Sequence, residues 1–239
     1  LSELFGSKPA YADTVNPTKI TPLTEEELKK DFNEVWPFIR INEGFKGFPY
    51  KDSNCLDTAG TGHLMDLKNL EADPLIDFSD ENKRNAYLDL SKRIEKEICS
   101  VGPDGRLGTN IIADKQKERF NELTKYPINE AVDRENGLKF FRKRIPQIQQ
   151  ALAIQNPARE WQDLAPEEKK VLIDILYNPG KNTPVFNYQE QKTYWPNLFD
   201  AIAKKDYPRA IENVSRNGVG KERTDRLKEL LKSLIPPEQ

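Results

Sequence analysis

Between Gly44 and Gly62 the chain abandons helical spacing and runs through short extended pieces rich in aromatics, threonine and glycine, with a polar Asp52-Ser53-Asn54 turn in the middle. Alternation of that kind, bounded by glycines and turn residues, predicts a small antiparallel sheet. Gly60 and Gly62 read as backbone devices that let strands approach closely. The chain on either side has the spacing of helices, so the expected fold class is α+β and mostly helical.

Thr24 with Glu27 three positions on makes a capping box, so a helix should start there and run through Leu28, Phe32 and Val35. Pro37 should interrupt it, leaving a second short piece, Phe38 to Asn42, that delivers Glu43 at its C-terminal end. Asp80 to Cys99 carries Ala86, Leu88, Leu90, Ile94 and Ile98 at mostly three- and four-residue spacing. After the turn-rich Gly102-Pro103-Asp104-Gly105, helix signals return at Asp114 to Lys125 and Glu130 to Ile154. Four more follow: Ala165 to Tyr177, Tyr194 to Lys204, Tyr207 to Ser215 and Lys221 to Leu234. No internal repeat is visible.

The expected organisation has a proline-bearing linker or extended arm at 1–23 and one domain at 24–239. Within that domain a small sheet lobe (44–64) carries a helical insertion (65–125). A connecting helix region (126–155) joins it to a helical lobe made of 24–43 and 156–239. A cleft between the lobes is the natural ligand site.

Composition excludes several classes. At 239 residues and 27.5 kDa there is ample apolar material for a core. The net charge of -2 and pI near 5.7 argue against a nucleic-acid binder, which carries a concentrated basic surplus. No apolar run approaches the roughly 20 residues that span a bilayer, so no membrane insertion is expected. Cys55 and Cys99 are too few for a disulfide framework and lack zinc-site spacing. Two ordinary thiols are expected, with one bridge between them left open; no metal or cofactor is implied. The first residues lack an export signal, and a chain opening on Leu1 reads as a piece of something longer.

Two carboxylates and a hydroxyl flank the predicted hairpin, and glycoside hydrolysis by water needs such a set. Glu43 is the candidate general acid, because the C-terminal end of a helix disfavours a carboxylate and Phe45 and Phe48 would add desolvation. Asp52, at the mouth of a polar turn, suits a base or electrostatic partner, and the Thr58 hydroxyl can help it hold a water. Carboxyls roughly 6.5–9.5 Å apart invert the anomeric centre and those about 5–5.5 Å apart retain it; inversion is the expectation here. His63, the one histidine, reads as a packed structural residue. Lys139, Arg142, Lys143 and Arg144 read as a solvated helix face.

The pattern Glu-Gly, Tyr-Lys-Asp, Thr and Gly-x-Gly-His-Leu from Glu43 to Leu64 resembles the phage-type lysozymes, glycoside hydrolase family 24. The resemblance implies a two-lobed lysozyme-like fold and cleavage of the β-1,4 bond between N-acetylmuramic acid and N-acetylglucosamine in peptidoglycan. It implies Glu43 as general acid, Asp52 as the residue that positions water, Thr58 as its assistant, and Leu64 in the substrate cleft. Leu-Tyr-Asn-Pro-Gly at 176–180 resembles the family's cleft-lining segment, which would give Tyr177 and Asn178 sugar contacts. Near the C-terminus Ser215-Arg216 followed by Lys221-Glu222-Arg223 resembles the place where the family presents an arginine to the glutamate, with Arg223 the better match of the two arginines.

The 65–125 segment and the acidic pI depart from that family. They tilt the setting from an endolysin towards a bacteriolytic toxin or effector domain similar to the pesticin-like and secretion-system muramidases. Such a protein would be a monomer that acts in the bacterial periplasm or cell wall, arriving by secretion or as part of a larger exported protein. An immunity protein or delivery module would be its partner. The contrasting reading is a non-catalytic peptidoglycan-binding or interaction module of the same fold.

Overall fold

The computed structural model describes residues 20–52, 54–101, 107–111, 113–177, 186–187, 192–193, 195–215 and 220–237. Among them the chain runs α1 (Glu25–Asn42), β1 (Lys46–Lys51), β2 (Asp57–Gly60), β3 (His63–Leu64), α2 (Glu81–Ile98), β4 (Cys99–Val101), β5 (Leu107–Ile111), α3 (Ala113–Glu118) and α4 (Phe120–Leu123). It continues with α5 (Glu130–Gln155), α6 (Pro166–Tyr177), β6 (Phe186–Asn187), β7 (Lys192–Thr193), α7 (Pro196–Ala203), α8 (Tyr207–Asn213) and α9 (Lys221–Lys232). The protein is mostly helical with one three-stranded antiparallel sheet in the order β1-β2-β3, the α+β class the spacing predicts. Most of the expected N-terminal arm, residues 1–19, lies outside the described residues.

α1 begins as a capping box should. The Glu27 amide donates to Thr24 Oγ1 at 3.2 Å, and the Thr24 amide donates to Glu27 Oε2 at 2.8 Å. Pro37 does not interrupt the helix, contrary to expectation: α1 is continuous through it. A proline removes one backbone donor. Here that loss is outweighed by the burial of Phe32, Val35, Trp36 and Ile39 on both sides of it, each such side chain contributing about 1.5–3 kcal/mol.

Two hydrophobic cores organise the molecule. The larger is helical and gathers α1, α5, α6, α7 and α9 around Trp36, Phe141, Trp161, Leu172 and Phe199. The smaller lies on the sheet side, where Leu75, Ile76, Phe78, Tyr87 and Ile94 pack with Ala59 of β2. Most of this second core comes from the 65–125 segment, so that segment completes the sheet's packing. α5 serves both cores, with Val132 against the smaller and Phe141, Ile145 and Ile148 inside the larger.

Where α5 crosses α1, Gly137 lies against the Trp36 indole. A methyl group added there would come within 2.6–2.8 Å of three ring carbons, and Trp36 is itself almost fully buried. Gly137→Ala is therefore expected to destabilise by about 1–3 kcal/mol in urea unfolding, despite its better helix propensity. Stability at or above wild type would show that the indole can move aside.

Several local expectations are corrected. The 65–125 segment is not wholly helical: β4 and β5 pair antiparallel, with Cys99 opposite Ile111 and Val101 opposite Leu107, and the expected turn at 102–105 lies outside the described residues. The 114–125 helix is split into α3 and α4 by a turn at Arg119. The C-terminal part carries a second antiparallel pair, β6 with β7. Cys55 and Cys99 are not free thiols; they form a disulfide with Cα atoms 6.1 Å apart, tying the β1–β2 turn to β4. Arg144 is not on a solvated face but buried, its guanidinium 5.4 Å from the Phe140 ring centre.

Candidate functional site

The end of α1, the β1–β2–β3 sheet and helices α5, α6 and α9 surround one cleft of about 700 Å3. Glu43 enters it as the C-cap of α1. Beyond it Gly44 takes φ +63°, the Gly44 amide donates to Ile41 O at 3.1 Å and the Phe45 amide to Arg40 O at 2.9 Å. That left-handed closure, which glycine adopts without a steric cost, fixes the exit of the helix and so the direction of Glu43. Its side chain is 13% exposed and its Oε1 is 2.7 Å from Arg223 Nη2 of α9.

Phe45 and Phe48 do not flank this carboxyl, contrary to expectation. Phe45 precedes β1, Phe48 sits where the β1–β2 register shifts between Lys46 and Tyr50, and both rings are engaged elsewhere. Phe45 lies under the Arg40 guanidinium at 3.5 Å, and Phe48 packs on Phe120 at 5.1 Å. The aromatic lining comes instead from Tyr50, Phe140 and Tyr177.

Asp52 and Thr58 open on the same cleft as Glu43. Asp52 Oδ1 accepts from the Asn54 amide at 2.8 Å and the Leu56 amide at 2.9 Å. These two bonds brace the turn and commit one carboxyl oxygen, and no partner is recorded for Oδ2 among the described residues. Thr58, buried in β2 opposite Tyr50, donates its hydroxyl to Leu56 O at 3.3 Å. The Tyr50 phenol is pushed up to about 12 by burial and then by the negative charges of Glu43, Asp52 and Asp133. Three acids therefore surround one hydroxyl that stays a donor at neutral pH.

Tyr177 also lines the cleft, but its hydroxyl is spent within the protein, donating to Thr61 O at 2.7 Å. Burial, followed by the charges of Glu43 and Asp133, raises its phenol well above the ordinary value. Asn178 lies outside the described residues. Leu64 is 55% exposed on the cleft wall, an apolar surface open to a ligand. Gly60 has φ +58°, and a Cβ there would stand 2.5 Å from Asp133 Oδ1. Its role is thus close approach to α5 rather than to a neighbouring strand. Gly62, at φ +75°, leaves space beside Glu43 Oε2, 3.8 Å from where its Cβ would be.

His63 reaches the cleft rim and its Nε2 is 3.2 Å from Asp73 Oδ2. Burial works to raise the Asp73 carboxyl, but the hydrogen bond from His63 and the amide of Leu75 outweigh it, and the net direction is downward. A carboxyl lowered in the folded state contributes stability above its ordinary value of 3.8 and loses it as the pH falls through the folded value. Asp73→Asn should therefore be less stable than wild type at neutral pH, with the two thermal midpoints converging on acidification towards about pH 2. A constant gap across that range would count against the His63–Asp73 pair.

Residue spacing missed three members of this site. Asp133 of α5 accepts from the Thr61 amide at 2.9 Å and from its hydroxyl at 2.8 Å, holding the β2–β3 turn against the helix. Asp174 of α6, fully buried, accepts from Arg223 Nε at 2.8 Å. The third is Tyr50 of β1, the one of the three with a local signal, its place in the aromatic alternation. Among the described residues no group of three or more His, Cys, Asp or Glu is arranged to hold a metal ion.

Chemically the cleft offers a carboxyl at a helix end, a second carboxyl with one uncommitted oxygen, two hydroxyls and an exposed apolar wall. No known family model matches the chain, and no curated protein matches it either. The resemblance drawn from Glu43 to Leu64 rests on those residues.

Proposed function

We propose that the protein is a peptidoglycan hydrolase of the muramidase type, cleaving the β-1,4 bond between N-acetylmuramic acid and N-acetylglucosamine with inversion. The observation that carries this reading is that Glu43, Asp52 and Thr58, delivered by a helix end and a hairpin, face one open cleft. In the proposed reaction Glu43 gives its proton to the departing glycosidic oxygen as that C–O bond breaks. A water held by Asp52 Oδ2 and Thr58 forms the new bond to the anomeric carbon, and its proton passes to Asp52. Leu64 and the Tyr177 ring supply sugar-facing surface. The two cores then correspond to the sheet and helical lobes of a lysozyme-like fold, with α5 connecting them.

The disulfide suits an oxidising, exported setting, in keeping with action in the bacterial cell wall as an endolysin or antagonistic effector domain. Purified peptidoglycan is the test substrate. New reducing ends on N-acetylmuramic acid support the proposal. Saccharide binding with no cleavage product would instead make the protein a wall-binding module.

A further inference from the structure

Arg223 touches Glu43, yet it belongs first to another carboxylate. Its Nε donates to Asp174 Oδ2 at 2.8 Å and its Nη2 to the Asp174 backbone oxygen at 3.2 Å, while Nη2 also meets Glu43 Oε1 at 2.7 Å. Asp174 is anchored in turn: Asn42 Nδ2 donates to its Oδ1 at 2.8 Å, and Arg226 Nε donates to Asn42 Oδ1 at 2.7 Å. Asn42 is the residue just before Glu43, so this chain of contacts leads from α6 through α9 back to the end of α1. Arg223 and Asp174 are both buried, where charges are weakly screened and a local imbalance is costly.

We propose that Asp174 is a positioning residue that fixes Arg223 beside Glu43 and neutralises its charge, so that Glu43 can hold a proton. Two carboxyls share one guanidinium here. With Glu43 ionised the trio carries one surplus negative charge, and with Glu43 protonated it is neutral. An arginine facing Glu43 alone would do the opposite and hold it as a carboxylate. The charges acting on Arg223 have the same order: burial opposes its cation, but Asp174 first and Glu43 second raise it above the ordinary arginine value.

The other groups facing Glu43 are Tyr50 of β1, Asp52 of the hairpin turn, Asp133 of α5 and Tyr177 of α6, with Lys46 and His63 on the cleft wall. Arg226 is shared between Asn42 and Glu222. Arg226 is linked to Asp174 only through Asn42, and among the described residues none of the cleft-wall groups named makes a side-chain hydrogen bond to Asp174.

The test is a carbon-13 carboxyl titration of the whole protein, with Glu43 assigned by its loss in Glu43→Gln. In Asp174→Asn the Glu43 midpoint is expected to fall by about one pH unit or more, a tenfold loss of proton affinity, while Asp174→Glu restores it. An unchanged or raised midpoint would overturn the inference. Should Asp174→Asn not fold, Glu43→Gln carries the test: the Arg223 Nε–H must stay slowly exchanging there, because Asp174 holds it, and rapid exchange would overturn the inference. Neither readout needs turnover. Hydrolysis, which rests on the function proposed above, adds a third: Asp174→Asn should move the alkaline limb of the pH–rate profile down. A wild type without hydrolysis would defeat the muramidase reading and leave the titration to decide on Asp174.

Discussion

Glu43→Gln is expected to lower peptidoglycan hydrolysis by about 10²–10⁴-fold, the usual contribution of a positioned general acid. The amide keeps the size of the side chain and an oxygen for Arg223 Nη2, so circular dichroism and the thermal midpoint should stay close to wild type. The loss should fall on turnover rather than substrate affinity, since the amide fills the same place in the cleft and lacks only the transferable proton. Product analysis by reductive labelling of the new ends is the decisive measurement. Cleavage at the wild-type rate by Glu43→Gln would remove Glu43 from the role and, with it, the mechanism proposed here.

The second large effect concerns the disulfide. Cys55 and Cys99 are 44 residues apart in sequence, and closing a loop of that length constrains the unfolded chain by about 4 kcal/mol in the chain-entropy model. The Cys55→Ala/Cys99→Ala double variant should therefore melt roughly 8–16 °C below wild type. Activity should suffer as well. Cys55 sits in the Asp52 turn, its amide donating to Asp52 O at 2.9 Å and its own φ at +62°. Without the tether to β4 that turn is free to relax, and Asp52 with it. Wild-type protein treated with a reductant should behave like the double variant. Two titratable thiols in the untreated native protein, with no change on reduction, would contradict this.

What could be read from sequence, and what could not, follows the range of the interactions concerned. Thr24 with Glu27, the periodic apolar residues of α2 and the glycine after Glu43 all act within a few residues, so the helix ends and the hairpin were legible. The sheet class and the grouping of Glu43, Asp52 and Thr58 were legible for the same reason, being set by one short continuous stretch. Pro37 misled because its local penalty is overridden by burial contributed from α5 and α6. Asp133 and Asp174 act across 72 and 49 residues, on Thr61 and Arg223 respectively, and an isolated Asp on a charged helix gives no sign of such a partner. The β4–β5 pairing was hidden in the same way, since strands this short lack enough residues to establish an alternating period.

Thr61 ties the edge of the sheet to two helices at once: α5 holds its amide and hydroxyl through Asp133, and α6 holds its carbonyl through Tyr177. Three hydrogen bonds on one residue act as a rivet at that corner of the groove, so any widening there must stretch or break at least one of them.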